Sequence, residues 1–131
     1  MNQFASTLLF IRYYSIVPSL ISRSGDLIAA GTSSPFEIYI WSLRTGKLLD
    51  TLTGHEGPIS CLRFNARGTQ LASGSWDHTV RTWDLLGSGL KESLSHPAEV
   101  VALDWRRDDD ELISSCLNGS VYIWDTVNGR I

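Results

Sequence analysis

The residues with the greatest chemical potential lie in and after the stretch LTGHEGPIS, Leu52–Ser60, where His55 stands beside Glu56. A histidine there can ligate a metal, act as a general base, or hold a buried polar network. Downstream, Ser75 (or Ser73) and Asp77 complete the residue types of a Ser-His-Asp hydrolase. Such a triad needs an exposed nucleophile, an oxyanion site and a cleft, and no G-x-S-x-G elbow occurs in the chain. A metal site needs three or four converging ligands. The histidines are His55, His78 and His96 alone, with no H-E-x-x-H and no paired cysteines. No glycine-rich phosphate loop follows a strand and opens a helix. The expectation is therefore no catalytic residue, no metal, no cofactor and no small-molecule substrate.

The chain has 131 residues, enough for one modest domain with a core. Its 11 basic and 14 acidic residues are interspersed, and no basic stripe of the kind that holds phosphate backbones is present. Cys61 and Cys116 lie in alternating apolar stretches, which reads as two reduced core thiols. The N-terminal MNQFASTLLFIRYYSIVPSLIS has no charge ahead of its apolar run, and Arg12 and Pro18 interrupt it. A secretory signal or a membrane span is not expected from it. Phe10, Ile11, Tyr13, Tyr14, Ile16 and Val17 suit strands instead.

What positions His55 is a repeat. Trp41, Trp83 and Trp124 are 42 and 41 residues apart. His55 and His96 each precede a tryptophan by 28 residues, and Asp77 and Asn118 by six. Laying 55–84 over 96–125 needs no gap and pairs Leu62 with Leu103, Leu71 with Leu112, Ser73 with Ser114 and Val80 with Val121. Self-similarity at this period marks a supersecondary unit stacked on copies of itself. Within a unit, ISCLRF, LASGS and VRTWD read as strands separated by the turns NARG and WDHT, and GKLLDTL supplies a fourth strand in the preceding unit. Four short antiparallel strands in about 40 residues make one propeller blade. The earliest unit is less regular: it lacks Gly-His and carries one extra residue between Gly31 and Trp41.

Gly54-His55 at the head of a unit and Trp83-Asp84 or Trp124-Asp125 at its end resemble the WD-repeat family. The resemblance implies an all-β fold, a partial propeller of about three four-stranded antiparallel blades. The units would be about 15–52, 53–94 and 95–131, with 1–14 as a strand of a preceding blade or unassigned. It also implies a buried tetrad of His55, Ser75 (Ser73 the other candidate), Asp77 and Trp83. A weaker partial tetrad follows at His96, Asn118 and Trp124, with Cys116 or Ser114 in the strand position.

Phe36–Phe64 and the LASGSWDHTVRTWD that follows are similar, within that family, to a nucleolar component of the small-subunit processome. That resemblance implies a non-enzymatic scaffold in 18S ribosomal RNA maturation. Its partners would be other propeller-containing processome subunits, with pre-ribosomal RNA in the complex and no membrane. The alternative is a general WD-repeat adaptor reading a peptide in a ubiquitin-ligase or chromatin complex. Four blades already require about 160–180 residues, so this length is expected to supply part of a ring, or one closed by self-association.

Trp76 is the candidate partner anchor, because no other unit has tryptophan at that turn. Phe36 and His78 extend the candidate patch; the plainer reading is local cover for the turns. RRDDDE, Arg106–Glu111, reads as a solvated turn or an acidic patch. Trp105 aligns with Phe64 and is expected in the core, and the glycine-bearing run Leu86–Lys91 is expected to be a longer loop.

Overall fold

The computed structural model describes the backbone of residues 16–21 and the whole of 25–87, 89–106 and 110–128. These residues form strands and turns with no helix among them, and so no helix capable of crossing a membrane. Among the described residues there are eleven strands: β1 (Ile16–Ile21), β2 (Leu27–Thr32), β3 (Ile38–Ser42), β4 (Leu48–Leu52), β5 (Ile59–Phe64), β6 (Gln70–Ser75), β7 (Thr79–Asp84), β8 (Gly89–Ser95), β9 (Val100–Arg106), β10 (Glu111–Cys116) and β11 (Val121–Asp125). They build three antiparallel meanders, β1-β2-β3-β4, β5-β6-β7-β8 and β9-β10-β11. The second meander packs on the first through β5 against β1 and β2, and the third packs on the second through β9 against β5 and β6. This is the expected open arc of propeller blades.

The period-2 alternation of each strand sends side chains to opposite faces, and the middle meander buries both. Leu62, Leu71 and Trp83 turn towards the first sheet and join Ala29, Ile38, Ile40, Leu52 and Ile59 in one apolar layer. Ala72 and Val80 turn the other way and join Val100, Leu103, Leu112 and Trp124 in the next. Cys61 and Cys116 belong to that second layer as free thiols, and burial raises the pKa of both. In the first sheet Trp41 is fully buried and stacks on Tyr39, ring centroids 6.0 Å apart.

How closely the sheets approach is set by two glycines. A Cβ on Gly31 in β2 would come within 2.6 Å of Ile59 Cγ2, the first residue of the next sheet. A Cβ on Gly74, one residue from the end of β6, would lie 2.5 Å from Cys61 Sγ and 2.7 Å from Val100 Cγ1, and Val100 opens the third sheet. The two contacts repeat one device: a missing side chain admits the β-branched residue that begins the following blade. In the third sheet the corresponding position of β10 holds Ser115.

Several expectations change. Leu86–Lys91 is not a long loop, because β8 begins at Gly89 and pairs back to Asp84 and Trp83. The third sheet has three described strands against the four expected, and 129–131 lie outside the described residues. The 1–14 segment lies outside them as well, whereas Ile16 and Val17 do lie in a strand. The extra residue of the first unit is absorbed in the 33–37 turn, closed by Thr32 N–H donating to the Glu37 carbonyl at 3.0 Å. Phe36 occupies the left-handed region there, φ 65°.

Gly31→Ala forces a methyl into Ile59 and is expected to destabilise the protein by about 1–3 kcal/mol. Chemical denaturation measures this, with Thr45→Ala on the exposed β3–β4 turn as a control that stays within about 0.5 kcal/mol.

Candidate functional site

His55 is placed by the segment between β4 and β5, Ser73 by β6, Asp77 by the β6–β7 turn and Trp83 by β7. The four side chains form one continuous chain. Trp83 Nε1–H donates to Ser73 Oγ at 2.8 Å. Ser73 Oγ lies 2.7 Å from His55 Nε2, and His55 Nδ1 lies 2.8 Å from Asp77 Oδ2. With the ring proton on Nδ1, every donor points the same way: indole to hydroxyl, hydroxyl to imidazole, imidazole to carboxylate.

Asp77 divides its two oxygens between two tasks. Oδ2 takes His55 and the Glu56 backbone N–H at 3.0 Å, while Oδ1 takes the Thr79 N–H at 2.8 Å and the Thr79 hydroxyl at 2.6 Å. Burial alone would raise its pKa. The hydrogen bonds from His55, Thr79 and the Glu56 amide outweigh burial and hold the carboxyl well below the ordinary carboxylate range.

Ser75, the expected strand member, is not in the chain, and Ser73 is. Ser75 Oγ donates towards the carbonyls of Gly57 and Pro58, each at 3.0 Å, and accepts the Asp77 N–H at 3.1 Å. Both serines face the same side of β6, but Ser73 is one pleat further from the turn, opposite the indole. The repeat carried this signal, since Ser73 aligns with Ser114 and Ser75 with Cys116.

The third sheet repeats the core of the arrangement without its carboxylate. His96 Nε2 lies 2.6 Å from Ser114 Oγ, which also accepts the Trp124 indole N–H at 3.2 Å. His96 Nδ1 donates to the Leu94 carbonyl at 3.0 Å, not to Asn118. Asn118 therefore leaves the expected partial tetrad. An amide has one acceptor oxygen, and Asn118 Oδ1 spends it on the Ser120 N–H at 3.0 Å, the turn bond that Asp77 Oδ1 makes to Thr79. Burial lowers the pKa of His96, with the Leu94 bond opposing.

The Ser-His-Asp order is that of a hydrolase, but Ser73 is 0% exposed and its oxygen already holds an indole proton. It presents no nucleophile to a substrate. Among the described residues no three His, Cys, Asp or Glu side chains converge on a metal position.

The surface candidates lie at the same end as His55. Trp76 is 57% exposed at the β6–β7 turn, His78 beside it has φ 71°, and Phe36 is half-buried at the β2–β3 turn. Leu117, 67% exposed, was not singled out from sequence, although it aligns with Trp76 at the equivalent turn. The two turns are built alike: Trp76 N–H donates to the Pro58 carbonyl and Leu117 N–H to the Glu99 carbonyl. At the opposite end a polar cleft of about 350 Å³ is lined by Arg67, Gln70, Lys91 and Asp110 among others. Trp105 is half-buried and donates its indole N–H to the Arg63 carbonyl at 3.0 Å, tying the third sheet to the second. Arg106 and Glu111 form an exposed ion pair at 3.2 Å, and 107–109 lie outside the described residues.

A family model described as "WD domain, G-beta repeat" matches residues 46–84 and 89–125. Periodic tryptophan protein 2 homolog of Schizosaccharomyces pombe is 45% identical over 111 residues, covering 84% of this chain and 13% of that protein. Its counterpart in Mus musculus is 45% identical over 109 residues, covering 82% of this chain and 12% of that protein. The solved structure of U3-55K superposes with a TM-score of 0.82 at 22% identity, over 89% of this chain and 38% of that one.

Ser73→Ala strands the buried indole and imidazole nitrogens and is expected to cost about 1–3 kcal/mol, and Trp83→Ala about 3–5 kcal/mol. A double-mutant cycle between Ser73 and Trp83 should return a coupling of about 1 kcal/mol by equilibrium denaturation. Stability should also fall in two acid steps. His96, its pKa lowered by folding, contributes stability fully present above its unfolded value of about 6.5 and lost as pH falls from there through its lower folded value. Asp77, also lowered, contributes stability present above about 4 and lost as pH falls further. Denaturation between pH 8 and pH 3 checks both, and His96→Asn should remove the first step.

Proposed function

The chain belongs to the WD-repeat family, and from that premise we propose that it is part of a non-enzymatic interaction scaffold in ribosome biogenesis. In its specific form the parent protein is a component of the small-subunit processome acting in 18S ribosomal RNA maturation in the nucleolus. The observation that carries the reading is 45% identity, over more than four-fifths of this chain, to proteins named periodic tryptophan protein 2. The chain spans about an eighth of their length, so the activity and partners of the whole protein are part of the proposal. The buried Ser73 hydroxyl supports it too, because the polar chain goes into holding blades together and leaves the turns free for partners. We take the repeat units as about 15–52, 53–94 and 95–131. Partners are then other propeller-containing processome subunits, with pre-ribosomal RNA in the same particle.

Affinity purification of the tagged intact protein from nuclear extract tests this. Processome subunits and unprocessed pre-ribosomal RNA are expected to come with it, and depletion is expected to lower 18S relative to large-subunit ribosomal RNA. Recovery of ubiquitin-ligase or chromatin subunits without pre-ribosomal RNA would overturn it in favour of a general adaptor.

A further inference from the structure

Cations, but not acids, are segregated along the blades: Asp26, Asp84, Asp104, Asp110, Glu111 and Asp125 lie towards the end opposite the Trp76 turn. At the end carrying the β2–β3, β6–β7 and β10–β11 turns, the described acidic residues are Glu37, Glu56, Asp77 and Glu99. The described lysines and arginines lie towards the other end, save Arg81, whose guanidinium reaches back against Gly54. Asp77 is committed to His55, so Glu56 and Glu99 are the carboxylates left around the exposed Trp76.

Contacts of their residues place both next to that turn. Glu56 N–H bonds Asp77 Oδ2 at 3.0 Å, and an added Cβ on Gly57 would lie 3.3 Å from the Trp76 carbonyl carbon, so the 56–57 backbone lies against the Trp76 turn. On the other side, Glu99 Oε1 is 3.9 Å from His78 Nε2, and the Glu99 carbonyl accepts the Leu117 N–H at 2.8 Å. Glu99 thus stands between the tryptophan turn of one sheet and the Leu117 turn of the next. We infer that Trp76, flanked by Glu56 and Glu99 and continued by Leu117, docks an extended cationic segment of a partner protein. An arginine or lysine of that segment lies over the indole, and an apolar side chain lies on Leu117.

The chemistry selects the occupant. An indole face attracts a cation, and more strongly with carboxylates alongside and solvent partly excluded. The same carboxylates repel phosphates, which disfavours a nucleic acid even though indole can stack on bases. The inference rests on the scaffold reading and names the partner chemistry of one surface. Failure of the copurification would leave a peptide-binding face on a different assembly. Failure of the peptide titration would leave the assembly and remove this face from it.

The test is fluorescence anisotropy on the intact protein with a labelled acetyl-Gly-Arg-Ala-Leu-Arg-Gly amide. The controls are the same peptide with both arginines replaced by citrulline, and a labelled decauridylate. Saturable binding of the arginine peptide is expected, about tenfold weaker for citrulline and about tenfold weaker for Trp76→Ala. Glu56→Gln with Glu99→Gln should weaken it several-fold and flatten its salt dependence. Melting temperatures should not move, since these side chains are exposed or half-exposed, and Trp76→Phe should retain most of the affinity. Absence of saturable binding, equal binding of the citrulline peptide, indifference to Trp76→Ala, or preference for the RNA would each overturn the inference.

Discussion

The arrangement of the middle blade depends on the buried hydroxyl of Ser73. It is the single atom that links β6, the indole of β7 and the imidazole carried by the segment before β5. The apolar layers on either side are non-directional and would tolerate small slides of one strand past another. A hydroxyl that must accept from Trp83 and serve His55 does not, because an unmade bond in a dry interior costs about 1–3 kcal/mol. Asp77 then fastens the far end of the chain to the β6–β7 turn.

The sequence repeat and the structural sheet are out of phase, and this gives the polar chain a second consequence. The matched repeats, 46–84 and 89–125, run from β4 to β7 and from β8 to β11, whereas the sheets run from β1 to β4 and from β5 to β8. Each repeat contributes its first strand to one blade and its other three to the next. His55 sits on the crossing between them, so a bond made within one repeat also fixes how two blades meet. Stability of the arc is in this sense shared between neighbours.

Most of the fold was legible in the residues because the repeat had two independent copies. Equal offsets of histidine and tryptophan located both networks, and alternation located strands such as ISCLRF to the residue. Legibility failed where two residues of one type share a face, as Ser73 and Ser75 do. Both point the same way from β6, and within one unit nothing separates them; only the second copy does, where Ser73 aligns with Ser114 and Ser75 with Cys116. It failed again at Asn118, where the single acceptor oxygen is turned to the Ser120 N–H and the imidazole donates to the Leu94 carbonyl instead. The Leu86–Lys91 run misled for a different reason. Glycines at 87 and 89 have positive φ, which looks like slack in a sequence but here shapes a tight reversal into β8. Leu117 carries no signal of its own type, and its alignment with Trp76 is what marks it as the equivalent turn residue.

Blade spacing has a chemical signature that extends past the described sheets. Ile59 and Val100 fit because the strand beneath each has no side chain at Gly31 or Gly74. The third sheet has a hydroxymethyl group there, on Ser115. Any layer stacked on that face therefore meets a step where the two earlier interfaces had a notch. A branched aliphatic residue would have to stand off from it, while alanine, glycine or a small hydroxyl could approach and give Ser115 a hydrogen-bond partner. The three sheets are alike in outline, but the two described interfaces close over a glycine, at Gly31 and at Gly74, while the equivalent place on the third sheet carries Ser115.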